Sequence, residues 1–128
     1  MSQIINMEQI RAASAMDAAR GILQARGSKG DQLSGYHSLI ITNGLLATFA
    51  YSADKGDECR LIAESLVRHL AALQAAKRFP GEPLPTDLVD AIHCISVTAT
   101  PALLAMMTDE CMAYLNYLKR FVRAMKQC

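Results

Sequence analysis

Four cations, Lys119, Arg120, Arg123 and Lys126, fall close together in the segment CMAYLNYLKRFVRAMKQC (111–128), which contains no Asp or Glu. The whole chain carries a net charge of only +1, so this positive charge is placed rather than merely abundant. Ammonium and guanidinium groups without a local counter-charge suit phosphate oxygens or an acidic protein surface. A helix dipole favours cations in one C-terminal turn, and these four cover two. No base-reading motif accompanies them, so any nucleic-acid contact they make is to phosphates and independent of sequence. Lys77 and Arg78 end another helical pattern, and Arg26 with Lys29 end the first.

Other residues that could do chemistry form no constellation. Asp54, Asp57 and Glu58 cluster in a turn and read as solvated helix caps, with no nucleophile or base beside them. Asp109 and Glu110 precede the basic run, where Glu110 can pair on the helix surface for about 0.2–0.5 kcal/mol. His37, His69 and His93 stand without a Ser, Asp or Cys partner and read as surface or half-buried positions. Cys59, Cys94, Cys111 and Cys128 make no CxxC, and adjacent His93 and Cys94 point in different directions from a helix. They read as plain thiols of a reducing cytosol, with no metal. Neither GxxxxGK[ST] nor GxGxxG occurs, so no nucleotide cradle or cofactor is expected. Met106, Met107 and Met112 read as core or seam fillers. The expectation is a protein that is not an enzyme.

The elements that position the basic run are helices. Hydrophobic residues make up 52% and aromatics 5%, with no Trp, and the apolar content is Ala, Leu, Ile and Met. That composition favours helix over strand. The expected fold is all-α: one domain over 1–128, an elongated bundle of five to six helices. Breaks fall at RGSKGDQLSG (26–35), SADKGDE (52–58) and FPGEPLPTD (79–87). The first helix, 3–25, places Ile4, Met7, Ile10, Ala13 and Asp17 along one stripe. A second, Leu33 to Ala53, has the uncharged centre LIITNGLLATFA, which predicts a central helix with Gly44 inside it at a close helix approach. A third, Asp57 to Arg78, buries Ile62, Leu66, Leu70 and Leu73, with Asp57 as its N-cap and Lys77 and Arg78 in its last turn. Thr86 caps a short fourth helix, Asp87 to Val97.

Thr100-Pro101 starts the last helix, which runs to about Lys126 and is roughly 40 Å long. Leu104, Met107, Cys111, Tyr114, Leu118, Phe121 and Met125 alternate steps of three and four, a seam for knobs-into-holes packing that Leu115 and Val122 widen. Asn116, Lys119, Arg123 and Lys126 lie on the other side. No stretch reaches the 18 or so apolar residues of a membrane span, and MSQIINMEQIRAAS lacks a signal pattern. A soluble, cytoplasmic protein that does not engage membranes is expected.

Two blocks resemble a known family. YHSLIITNGLLATFAYSADKG (36–56) and ECMAYLNYLKRFVRAM (110–125) are similar to the signature blocks of the small, all-helical subunit of type III-B CRISPR effector complexes, the Cmr-type small subunit. The matching positions are Tyr36, Asn43-Gly44-Leu45-Leu46, Thr48, Phe49 and Lys55-Gly56, then Tyr114-Leu115, Tyr117 and Leu118-Lys119-Arg120-Phe121. Tyr117 stands where the family often has Trp, and Arg123 where an acid is common. The resemblance implies a non-catalytic subunit of an RNA-guided ribonucleoprotein in antiviral defence. It implies stacking in several copies beside the backbone subunits and the large subunit, along the groove holding guide RNA and target RNA. On that basis Lys119, Arg120, Arg123 and Lys126, with Arg68, Lys77 and Arg78 as further candidates, are expected to contact RNA phosphates or acidic subunit surfaces. The alternative is a stand-alone helical adaptor for an acidic protein partner.

Overall fold

In a computed structural model, which describes residues 6–25 and 31–126, the chain forms helices and no strand among the described residues. They are α1 (Met7–Gln24), α2 (Leu33–Asn43), α3 (Leu45–Lys55), α4 (Asp57–Ala75), α5 (Leu88–Thr98) and α6 (Pro101–Lys126). α1 opens with a capping box: the Asn6 side chain accepts from the Gln9 backbone N–H at 2.9 Å, and Gln9 accepts in return from Asn6 at 3.2 Å. Residues 3–5, Arg26, Lys29 and Cys128 of the sequence reading lie outside the described residues. The α1 stripe differs from the expected one. Ala15, Ala19 and Ile22 are buried, while Ala13 and Asp17 are exposed. A stripe through Asp17 would bury an unpaired carboxylate; the observed one turns it to water.

The expected second helix is two. Gly44 has φ +88° and separates α2 from α3, and a Cβ there would meet nothing within 4 Å. Gly44 is thus required by backbone conformation rather than by a close helix. The pair is not central either, since Ile41 is 73% exposed. The central helix is α4, which buries twelve of its nineteen residues, Ile62, Leu66, Leu70 and Leu73 among them. Gly56 (φ +75°), not Asp57, is its N-cap, and no side chain caps it. Asp57 is its first residue. α4 also ends earlier than expected, at Ala75, so Lys77 (φ +60°) and Arg78 stand in the turn beyond it.

Gln74 holds the chain after that turn. Its Nε2 donates to the Pro80 carbonyl at 3.0 Å, and its Oε1 accepts from the Leu84 N–H at 3.0 Å. Asp87, rather than Thr86, caps α5 by accepting from the Asp90 N–H. Thr100 caps α6 as expected, accepting from Leu103 N–H at 3.1 Å. The α6 seam buries Met107, Cys111, Tyr114, Leu115, Leu118 and Val122, with Leu104, Phe121 and Met125 half-buried at its edges. Met106 departs from the expected filler role and is 46% exposed. All six helices contribute to one hydrophobic cluster.

Two sets of contacts tie the long helices together. Arg11 and Ser14 of α1 meet Glu110 and Tyr114 of α6, and Glu8 lies beside Tyr117. His69 of α4 meets Glu110, and Ser65 lies beside Tyr114. The α4 pairs fall in reverse order along α6, so α4 runs antiparallel to it.

Candidate nucleic-acid interface

Helical spacing turns the basic residues of α6 away from its seam. Arg120, Arg123 and Lys126 are exposed and Lys119 is half-buried. Lys119 and Lys126 border α2. The Lys119 charge reaches His37, whose pKa is lowered by burial first and by Lys119 as well, against a 3.2 Å contact between its Nε2 and the Met112 carbonyl. Lys126 pairs with Asp31 at 3.5 Å. That pair is open to water and contributes little stability. Tyr117 does not present a free stacking face: its ring is tilted against Phe121 at 6.2 Å and is half-buried.

The other candidates do not join this stripe. Because α4 is antiparallel to α6 and His69 is level with Glu110, Lys77 and Arg78 lie toward the start of α6. The basic stripe lies toward its end. At 1.5 Å per residue the two groups are roughly 25–35 Å apart along the axis. Arg68 is exposed midway and lines a groove between α1 and α4. The seven cations form a stripe, a single charge and an end pair, not one continuous face.

Sequence reasoning missed a buried charge cluster at the centre of the bundle. Arg11 donates to both oxygens of Glu110 at 2.7 Å, and His69 Nε2 lies 2.9 Å from Glu110 Oε2. Glu110 is 7% exposed and His69 is 3% exposed, so both depart from the expected surface roles. Burial alone would raise the Glu110 pKa, but hydrogen bonds from Arg11 and His69 outweigh it and hold the group at about 2. Tyr114 stacks on the His69 ring at 4.4 Å and donates to the Ser14 carbonyl at 3.3 Å. Burial pushes its hydroxyl up to about 12. A signal was available in the spacing. Glu110 stands three after Met107 and four before Tyr114, and His69 three after Leu66 and four before Leu73, so each lies on a buried stripe. Glu58 likewise is no solvated cap: it is buried and accepts from the Gln32 N–H at 2.6 Å.

The family-resembling block at 36–56 is structural in its polar residues. Tyr36 and Ser52 hydroxyls are 2.6 Å apart, and Ser52 donates its single proton to the Thr48 carbonyl at 2.8 Å. Tyr36 must therefore donate to Ser52. Thr48 in turn donates to the Gly44 carbonyl at 2.8 Å.

Fold and surface together define a small all-helical protein with cations along one helix. The chain belongs to the CRISPR-associated protein (Cas_Cmr5) family, whose model matches residues 7–125. That is a family of non-catalytic small subunits of the type III-B Cmr complex, which associate with the other Cmr subunits. No curated protein and no solved structure matches the chain. Among the described residues no helix is long and apolar enough to cross a membrane.

Proposed function

We propose that this chain acts as a single helical domain in a cytoplasmic, RNA-guided Cmr effector used in antiviral defence. It stacks in several copies and lines the groove for guide and target RNA with the α6 stripe of Lys119, Arg120, Arg123 and Lys126. The observation that supports this reading is the division of one helix into two faces. Its seam is committed to the core, and its outer face carries four cations over two turns with no acid beyond Asp109. Phosphate contact is the chemistry such a face serves, through charge rather than base recognition. Lys77 and Arg78, at the far end, suit a neighbouring subunit or a more distant phosphate.

Salt dependence of RNA binding by the assembled complex tests this. Each phosphate contact to a single strand contributes about 0.7 to the log–log slope. Neutralising Lys119, Arg123 and Lys126 together should lower the slope by up to roughly 2 per copy engaged. An unchanged slope with unchanged assembly overturns the reading.

A further inference from the structure

Charge is unevenly spread over the exposed surface. Residues 32–53 and 91–108 contain no Asp, Glu, Lys or Arg, although such residues make up 20% of the chain. The first stretch covers α2 and nearly all of α3, the second most of α5 and the first two turns of α6. Neither is hidden in the core: Ile41, Asn43, Ala47, Val97, Pro101 and Ala105 are all exposed. Of the six large apolar side chains that stand exposed among the described residues, Ile41, Tyr51, Val97 and Met106 belong to these stretches, and Val89 to the same helix as Val97. A surface that serves only solubility normally mixes charges of both signs.

Helix directions bring parts of the two stretches to one end of the bundle. Asp31, just before α2, pairs with Lys126, and His37 within it contacts the Met112 carbonyl. α2 therefore runs antiparallel to α6. Six residues past His37, about 9 Å along the axis, Asn43 comes level with the second turn of α6. α5 ends at Thr98, just before α6 begins at Pro101, so Val97 stands at the same end. Ile41 and Val97, 73% and 65% exposed, are its most open large apolar side chains. Several hydroxyls here are already spent on their own helices. Ser96 donates to the Ile92 carbonyl at 2.7 Å, Thr98 to Cys94 at 2.6 Å and Thr108 to Leu104 at 2.8 Å. Covering them strands no donor, so burying this end costs little desolvation. The exposed acids Asp90 and Asp109 flank the second stretch and fall at the rim.

These features select among partners. Phosphate would find no cation here, and a charged protein surface no counter-charge. What fits is another neutral, weakly polar surface, and this end of the bundle is itself such a surface. A two-fold contact between copies requires a patch that does not repel itself. The uncharged end meets that requirement, and the cationic end of α6 does not.

We propose that the uncharged end of the bundle docks against the same end of a second copy of this chain across a two-fold axis, with Ile41 and Val97 in the contact. Such a contact closes at two copies, so it is distinct from a repeating stack and does not depend on any RNA contact. It leaves the two α6 stripes at the outer ends of the pair.

Sedimentation equilibrium of the isolated full chain tests this. A reversible monomer–dimer equilibrium is expected, with a dissociation constant of about 100 μM or below. It should persist at high salt, because the contact contains no ion pair. Ile41→Lys and Val97→Lys should each weaken it at least about tenfold, since the two-fold axis buries every new charge twice. Both positions are open to water in the single chain, and circular dichroism confirms that the variants are folded. Lys119→Gln combined with Arg123→Gln should leave the dimer unchanged. A chain that stays monomeric up to about 1 mM overturns the proposal, as does a dimer that both lysine variants leave intact or that high salt dissolves. Assembly that grows beyond two copies with concentration overturns the two-fold contact. A monomeric chain whose entry into the assembled complex is lost in Ile41→Lys assigns this end to a different subunit and overturns the second copy. None of these outcomes alters the salt slope that tests the α6 stripe.

Discussion

Arg11 and Glu110 grip each other across 99 positions of sequence, Nε to Oε2 and Nη2 to Oε1, both at 2.7 Å. The fork geometry ties α1 to α6 at a carboxylate that is otherwise out of water. Removing Arg11 leaves that carboxylate with His69 alone. Arg11→Met is expected to destabilise the fold by about 3 kcal/mol, because an uncompensated buried charge remains. For a chain of this size that lowers Tm by roughly 10 °C. Arg11→Met combined with Glu110→Leu should recover much of the loss. Calorimetry of the four variants reads the coupling, and additive losses would mean that the pair does not act as a unit.

The same carboxylate gives the fold an acid-sensitive term. Against the burial that would raise it, the hydrogen bonds from Arg11 and His69 hold the Glu110 carboxyl at about 2 in the folded chain, below its ordinary 4.5. A depressed folded pKa means the unfolded state takes up the proton first as pH falls. The stabilisation is therefore fully present above 4.5 and is lost as pH falls from 4.5 towards 2, amounting to about 3 kcal/mol. Urea unfolding midpoints between pH 6 and 2.5 should fall less steeply for Glu110→Leu than for the wild type. Parallel curves would show that Glu110 is not the group responsible.

Two glycines inside helical sequence should respond oppositely to alanine. Gly44 has φ +88°, where an L side chain is strained even though a Cβ would have space. Gly44→Ala is expected to cost about 1–2 kcal/mol. Gly21 has no such φ and equal space, so Gly21→Ala should stabilise by about 1 kcal/mol. Chemical denaturation of both variants checks the signs, and two losses of equal size would show that helix propensity does not govern position 21.

These positions also mark how far the sequence could be read. Helical period alone located the α6 seam through Met107, Cys111, Tyr114 and Leu118, and Thr100-Pro101 announced where the helix begins, because both signals are local. The division at Gly44 was hidden: glycine inside an apolar run has the same letter whether it allows a close approach or a left-handed turn. The Arg11–Glu110–His69 cluster was hidden for a different reason. Three helices must be docked before a buried acid acquires partners 99 and 41 positions away. The basic stripe was legible as charge on one helix. That Lys77, Arg78 and Arg68 lie elsewhere depended on α4 running antiparallel to α6, which no local pattern encodes.

Tyr36 and Ser52 offer an asymmetric pair for a final prediction. Ser52 keeps its proton on the Thr48 carbonyl, so Tyr36 is the donor between them, and burial raises the Tyr36 pKa well beyond its ordinary range. Tyr36→Phe removes the donor and leaves Ser52 only an unused lone pair, while its own hydrogen bond persists. The expected loss is about 1 kcal/mol. Ser52→Ala instead strands a phenol O–H among apolar neighbours, which costs about 2–3 kcal/mol including the vacated space. Tyr36→Phe introduced into Ser52→Ala should then cost almost nothing, or restore stability, because the stranded hydroxyl is gone. Denaturant midpoints of the two single variants and the double variant decide it. A larger loss for Tyr36→Phe than for Ser52→Ala would reverse the donor assignment and make the tyrosine oxygen the acceptor.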